Sequence, residues 1–353
     1  MKINRGALYL LRILLLSDLH ITTNDSDQNK ILDNLINHFN EMFINGENID
    51  LVFVSGDITY SGEPEEFKEA LGFFDRLKHS LNLSSEHIFF VPGNHDYNRA
   101  SLSIFTEYMR TNLRYEDYER IFTHAEFTKH LEKTFHNYFV FQEQVTEKKR
   151  EILGHSQIVK IDDYSIKITF INSCLANTIA NDELQPCFSV ENIKSFFEDK
   201  FQYNLSFALF HYPPFYLHPE CRHLLEEELG KSFDIVIAGH EHIPDAYIKK
   251  EPFEESEYLF LISGAVYLRE TRNPDQYLNQ FSIFEYDFHS GKGSRIHYYT
   301  RRNLNFCPRH TALHPKIGID GILHLKVPKR GEKGFIDAEM DPLKTTCSLD
   351  GYH

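Results

Sequence analysis

The feature that most constrains this chain is a recurring local pattern: a short β-branched or apolar run that ends abruptly in Asp, Asn or His. Ile13–Leu16 ends in Asp18-Leu19-His20, and Leu51–Ser55 in Gly56-Asp57. His87–Val91 ends in Gly93-Asn94-His95-Asp96, Leu205–Phe210 in His211-Tyr212-Pro213-Pro214, and Ile235–Ala238 in Gly239-His240-Glu241-His242. Further runs cover Ser165–Ile171, Tyr258–Ile262 and Phe281–Tyr286. Early on they alternate with helix-like stretches, Asn29–Ile44 and Glu65–Leu81, which predicts an α/β sheet flanked by helices. The later runs, from Tyr258 to Thr300, are closer together, as antiparallel strands are.

In such a sheet the crevice beyond the strand carboxyl ends is where ligands bind. Five loops then deliver three Asp, one Asn and five His to one rim. Imidazole, carboxylate and amide donors without thiolate suit divalent Mn, Fe, Zn or Ni. Nine polar residues are too many for one ion and suit two. An ion pair sharing a carboxylate and a hydroxide can activate that hydroxide for in-line attack on phosphorus while neutralising phosphoryl oxygens.

Composition narrows the class. With 41% hydrophobic residues, 30 Phe and 19 Tyr, the chain has ample core material. Its 37 basic against 52 acidic residues, a net charge of −15, disfavour holding long nucleic acid on the general surface. The 20 His are an excess of which the rim absorbs five. Five scattered Cys without a CxxC pair argue against a disulfide framework or a thiolate zinc site and fit a cytoplasmic protein. The apolar stretch Leu8–Leu16 is interrupted by Arg12 and reads as a buried strand rather than a signal segment. No apolar segment has the ~20 residues of a membrane span.

The order Asp18-x-His20, Gly56-Asp57, Gly93-Asn94-His95-Asp96, His211 and Gly239-His240-x-His242 resembles the calcineurin-like metallophosphoesterase superfamily over about residues 11–300. The resemblance implies a four-layer αββα sandwich, two mixed β-sheets between helices, with two ions at the sheet ends. It implies that Asp18, His20 and His242 hold one ion, that Asn94, His211 and His240 hold the other, and that Asp57 bridges. Manganese is the expected ion in vitro. His95 would act near the leaving group as acid or charge stabiliser, with Asp96 orienting its ring. The motif style is similar to cyclic-nucleotide phosphodiesterases and, through Asn98-Arg99, Ile171-Asn172-Ser173 and Ser263-Gly264-Ala265, to phosphoesterase modules of bacterial defence proteins.

Three further residues are candidate substrate contacts, each with a plainer reading beside it. Arg99 has the forked donors that suit phosphate, or makes an ordinary ion pair. Asn172 lines the pocket or caps a strand end. Tyr212 stacks on a base or packs as an ordinary aromatic. The fold is expected as a phosphoesterase domain over 1–302, carrying a helical insertion at about 100–156 that overhangs the site. Residues 303–353 are expected as an irregular extension or linker, open to a partner protein or further domain, with seven Lys/Arg and six Asp/Glu. The function expected is hydrolysis of nucleotide-type phosphodiesters by a binuclear metal enzyme. The alternatives are a nuclease on short or single-stranded ends, as in a defence effector, and a non-catalytic scaffold. Members that become scaffolds tend to lose ligands, and this chain keeps every one.

Overall fold

The computed structural model describes residues 9–98, 116, 124–149, 151–175, 186–198, 202–250, 256–268, 278–300, 306–308 and 322–328. Two mixed sheets face each other between helical layers. In the first, β1 (Leu10–Leu16), β2 (Leu51–Val54) and β3 (Ile88–Phe90) run parallel. The connections are α1 (Ser26–Ile44) and α2 (Pro64–Leu81). The second sheet has the order β4 (Gly154–Ile161), β5 (Tyr164–Ile171), β6 (Leu205–Leu209), β7 (Ile235–Ala238), β9 (Glu257–Ile262) and β8 (Asp245–Lys250). β10 (Asn279–Asp287) returns to the first sheet beside β1, antiparallel, and β11 (Lys292–Thr300) follows it.

Strand β1 shows why its run is almost continuously apolar. Leu11, Ile13 and Leu15 enter the core between the sheets, meeting Ile166, Phe207, Ile237 and Leu261. Leu14 and Leu16 face the other way, onto Ile31, Leu35 and Phe39 of α1 and Phe73 and Phe74 of α2. Arg12, which interrupts the run, lies opposite Glu285 of β10 and pairs with it at 2.8 Å. Helix α1 starts a turn earlier than its periodicity suggests, because the Asp25 carboxylate caps it by accepting from the N–H groups of Asp27 and Gln28.

Of the insertion expected to overhang the site, residues 100–115, 117–123 and 150 lie outside the described residues, and its described helices are not a separate lobe. Its helices α3 (Ala125–Thr134) and α4 (His136–Thr146) join the outer layers. Tyr138, Phe141 and Val145 pack with α2, while Phe127, Leu131 and Phe135 join the core outside the second sheet. The aromatic spacing here is a helical core. Residues 303–353 are not wholly linker-like either. Within them β12 (Cys307–Pro308) and β13 (Ile322–Lys326) pair with β11, and Leu323 and Val327 enter the core between the sheets. Pro and Gly nearby masked that short alternation. Edge strands β4 and β8 were equally hard to foresee, since a strand that buries one face lacks a continuous apolar run.

One polar residue ties the sheets together. Arg295 of β11 is completely buried; its Nε donates to Ser282 Oγ, Nη1 to Asp245 O and Nη2 to Ile262 O, at 2.7–2.9 Å. Burial pulls its pKa down to about 9, so it keeps its charge at neutral pH. Arg295→Met is expected to lower unfolding free energy by about 3 kcal/mol, because it strands buried acceptors that hydrogen-bond to a cation. The check is the shift in urea midpoint at unchanged slope. Among the described residues no helix is long and apolar enough to cross a membrane.

Candidate metal centre

The loops after β1, β2, β3, β6 and β7 meet at one edge of the sandwich. The first two are zipped together: Asp18 N–H donates to Gly56 O, His20 N–H to Asp57 O and Ile21 N–H to Ile58 O, at 2.8–3.0 Å. Five residues here adopt left-handed backbone: Asp18, His20, Asp57, His240 and His242, with φ between 46° and 70°. Each costs of order 1 kcal/mol for a non-glycine residue, so the surrounding hydrogen bonds must hold them. That strain is the local signature of a site whose side chains are aimed rather than relaxed.

Three groups of donor atoms converge, each within 4.8 Å: Asp18, His20 and His242; His20, Asp57 and His95; Asp57, His211 and His240. Asp18 Oδ1 lies 3.3 Å from His242 Nε2 and 3.8 Å from His20 Nε2. The two oxygens of Asp57 face opposite ways, Oδ2 3.9 Å from His20 Nε2 and Oδ1 3.5 Å from His211 Nε2. Asn94 Oδ1 stands 2.9 Å from His211 Nε2.

The donor set fits divalent cations on three observations. Among the described residues, His20 Nδ1 is buried without a hydrogen-bond partner, and Asp18 Oδ1 is buried with no well-aligned donor, His242 Nε2 standing 3.3 Å away. His211 Nδ1 donates to the Ser55 carbonyl at 2.8 Å, which aims Nε2 at Asn94 Oδ1, 2.9 Å away. An imidazole nitrogen and an amide oxygen placed side by side are a donor pair that a divalent cation can share. Burial also lowers the pKa of His20 and of His240 to about 4, which keeps both rings neutral and their lone pairs free. Burial alone would raise the carboxyls of Asp18 and Asp57. The imidazoles overrule it, His242 foremost at Asp18 and His211 at Asp57, and both acids lie below their usual range.

The structure brings Asp18, His20, Asp57, Asn94, His95, His211, His240 and His242 to this edge. Asp96 has a different task from the one expected. Its buried carboxylate accepts from the N–H groups of Thr59 and Gly93, both at 2.8 Å, and from the Thr59 hydroxyl at 3.2 Å. It therefore fixes the loop rather than the imidazole; burial and the charge of Asp57 raise its pKa to about 6. The His95 ring rests instead on a carbonyl, its Nδ1 donating to Tyr60 O at 2.6 Å.

Asn172 follows the plainer reading. Its Nδ2 donates to Ile152 O and its Oδ1 accepts from Cys174 N–H, so it caps the end of β5. Tyr212 is buried, its ring 4.5 Å from that of His240 and 6.0 Å from that of Tyr216, and is packed rather than offered to a base. Arg99 lies outside the described residues.

Several supporting residues escaped sequence reasoning. Ser173 Oγ accepts from the N–H groups of both His211 and Tyr212, and Ser17 Oγ donates to Asp18 Oδ2 at 2.5 Å. Gln28 Nε2 donates to the carbonyls of Leu19 and His20, and Gln280 Nε2 to that of His242. Small hydroxyls and glutamines carry no spacing signal; only Ser17, next to Asp18, was placed to suggest its role.

The metallophosphoesterase-like protein YydB of Bacillus subtilis is 24% identical over 276 residues, which cover 75% of this chain and 55% of that protein. This chain thus spans about half the length of that relative. Similar solved structures include GAP50 of Plasmodium, at 11% identity and TM-score 0.46, covering 91% of this chain and 90% of that one. The NAD nucleotidase of Haemophilus influenzae is 12% identical, with TM-score 0.41, over 85% of this chain and 50% of its own. Because the calcineurin-like phosphoesterase model matches residues 11–244, from β1 past the His240 and His242 loop, the chain belongs to that family.

Proposed function

We infer that this protein hydrolyses phosphodiesters of nucleotide type at a centre of two divalent ions. The observation that carries the reading is Asp57, whose two oxygens face different clusters, His20 on one side and His211 on the other. Divalent ions bound there would lower the pKa of a water and neutralise charge on the phosphoryl oxygens. Asp18, His20 and His242 would hold one ion, Asn94, His211 and His240 the other, and Asp57 both.

The rest of the chemistry belongs to the chain. The His95 N–H donates to Asp57 Oδ1 at 2.8 Å, locking that carboxylate in the orientation that serves both clusters. With Nδ1–H given to the Tyr60 carbonyl, the His95 ring is oriented beside the candidate ligands, and from there it would supply a proton to the departing ester oxygen. Asp96 keeps the loop in place through Thr59 and Gly93. The net charge of −15 supports a small phosphorylated substrate over a long polyanion.

A substrate panel on protein reconstituted with Mn tests this. Bis-p-nitrophenyl phosphate is expected to be hydrolysed with kcat/KM at least about tenfold above p-nitrophenyl phosphate, a difference of about 1.4 kcal/mol. Turnover confined to the monoester would overturn the diester reading. No turnover of either with Mn, Fe, Zn or Ni would overturn the enzymatic one.

A further inference from the structure

Three large hydrophobic side chains are exposed on the loops that carry the candidate ligands: Tyr60 at 41%, Phe215 at 37% and Ile243 at 44%. Tyr60 follows Asp57 by three residues and Ile243 is next to His242, while Phe215 lies four beyond His211. Exposed apolar side chains next to a cluster of polar groups are candidates for contact with a ligand.

Tyr60 is the best placed of the three. Its ring centroid is 5.6 Å from that of His95, inclined at 37°, and 6.3 Å from that of His20, at 75°. Its backbone is anchored at both ends of the peptide unit. Tyr60 N–H donates to Ile21 O at 3.1 Å, its carbonyl receives His95 Nδ1–H, and the next N–H, of Ser61, donates to the Glu66 carboxylate at 2.8 Å. The ring therefore stands on a fixed stem beside His95 with much of its surface open. A fixed, exposed phenol ring has the shape of a stacking platform for one planar group, and base–aromatic stacking is sequence-tolerant and strong enough to matter, on the order of tenfold in affinity.

We propose that Tyr60 is a specificity-determining residue that stacks on a planar aromatic group, a nucleobase or an aryl ring, carried by the ester arm lying beside His95. The proposal rests on the phosphodiester reading above. It narrows the substrate class to esters in which that arm bears a flat ring within reach of the phosphorus.

The test compares two esters with the same reacting atoms, the methyl phosphodiester of adenosine 5′-phosphate and that of ribose 5-phosphate, on Mn-loaded protein. The wild type is expected to favour the base-bearing ester by about tenfold in kcat/KM, with the difference in KM rather than kcat. Tyr60→Leu should cut that ratio below about threefold and Tyr60→Phe should keep it. A purely structural Tyr60 would move both esters together and leave the ratio alone, which would overturn the proposal, as would a wild-type ratio near one. If the wild type turns over neither ester, the diester reading fails. The platform is then judged separately by equilibrium binding of adenosine 5′-phosphate against ribose 5-phosphate, where the same ratio and the same loss in Tyr60→Leu are expected and their absence rejects it.

Discussion

Asp57→Asn is expected to reduce hydrolysis of bis-p-nitrophenyl phosphate by on the order of 10³-fold or more, about 4 kcal/mol of transition-state stabilisation. The substitution keeps size and shape. It also keeps an oxygen able to accept the His95 N–H, so the loop can stay folded. What it removes is the charge, and it removes it from the carboxylate that faces His20 on one side and His211 on the other. Losing an outer ligand such as His242 weakens one cluster; losing the Asp57 charge weakens both. A second readout separates chemistry from collapse. Mn at 100 times its Kd stabilises a native-only site by about 2.7 kcal/mol, a rise of several degrees in Tm for a domain of this size. The wild type should show that rise and Asp57→Asn should lose most of it, while its metal-free Tm stays close to wild type. Unchanged turnover by metal-loaded Asp57→Asn would end the two-ion mechanism.

What the sequence made legible follows from how each feature is encoded. Parallel strands buried on both faces, such as β1, β2 and β7, are continuous apolar runs and were visible within a few residues. The ligand candidates were visible because each follows such a run directly, and a strand end is a fixed point in space. Strands β4 and β8 lie at sheet edges, and Pro and Gly surround β13, so none of the three stands out as a run. The role of Asp96 was misjudged for a related reason. Adjacency in Gly93-Asn94-His95-Asp96 suggests a carboxylate on the neighbouring ring, but adjacent side chains in a tight turn diverge. The Asp96 carboxylate closes the turn on Gly93 N–H and reaches across to Thr59. The partner of the His95 ring is a main-chain carbonyl, at Tyr60, which no residue type announces. Ser173 belongs to the same class: its hydroxyl shapes the His211 loop from a different strand.

The steric counterpart of Asp57→Asn is Gly93→Ala, which leaves every ligand in the sequence and should still disable the site. A Cβ built on Gly93 falls on the backbone nitrogen and Oδ1 of Asp57. Neither can give way. The Gly56–Asp57 peptide is zipped to the β1 loop through Asp18 N–H on Gly56 O, and Oδ1 is held by His95 N–H. On the far side Gly56, at φ +93°, has no room for a Cβ of its own, with His211 Nδ1 2.5 Å and Gly93 N 2.8 Å from where it would stand. The β2 and β3 loops are thus packed main chain to main chain, and one methyl group must displace the shared carboxylate. Overpacking of this kind costs about 1–3 kcal/mol in stability. The larger effect is on function, because a 1 Å displacement of an aimed group costs on the order of 10²-fold. Gly93→Ala should therefore lose at least that much turnover and most of its Mn-induced rise in Tm. Gly72→Ala is the matched control: it lies in the interior of α2, where an added Cβ meets nothing within 4 Å, and it should gain up to about 1 kcal/mol from helix propensity. If Gly93→Ala keeps both its turnover and its metal-induced stabilisation, the close approach of these two loops is not what aims Asp57.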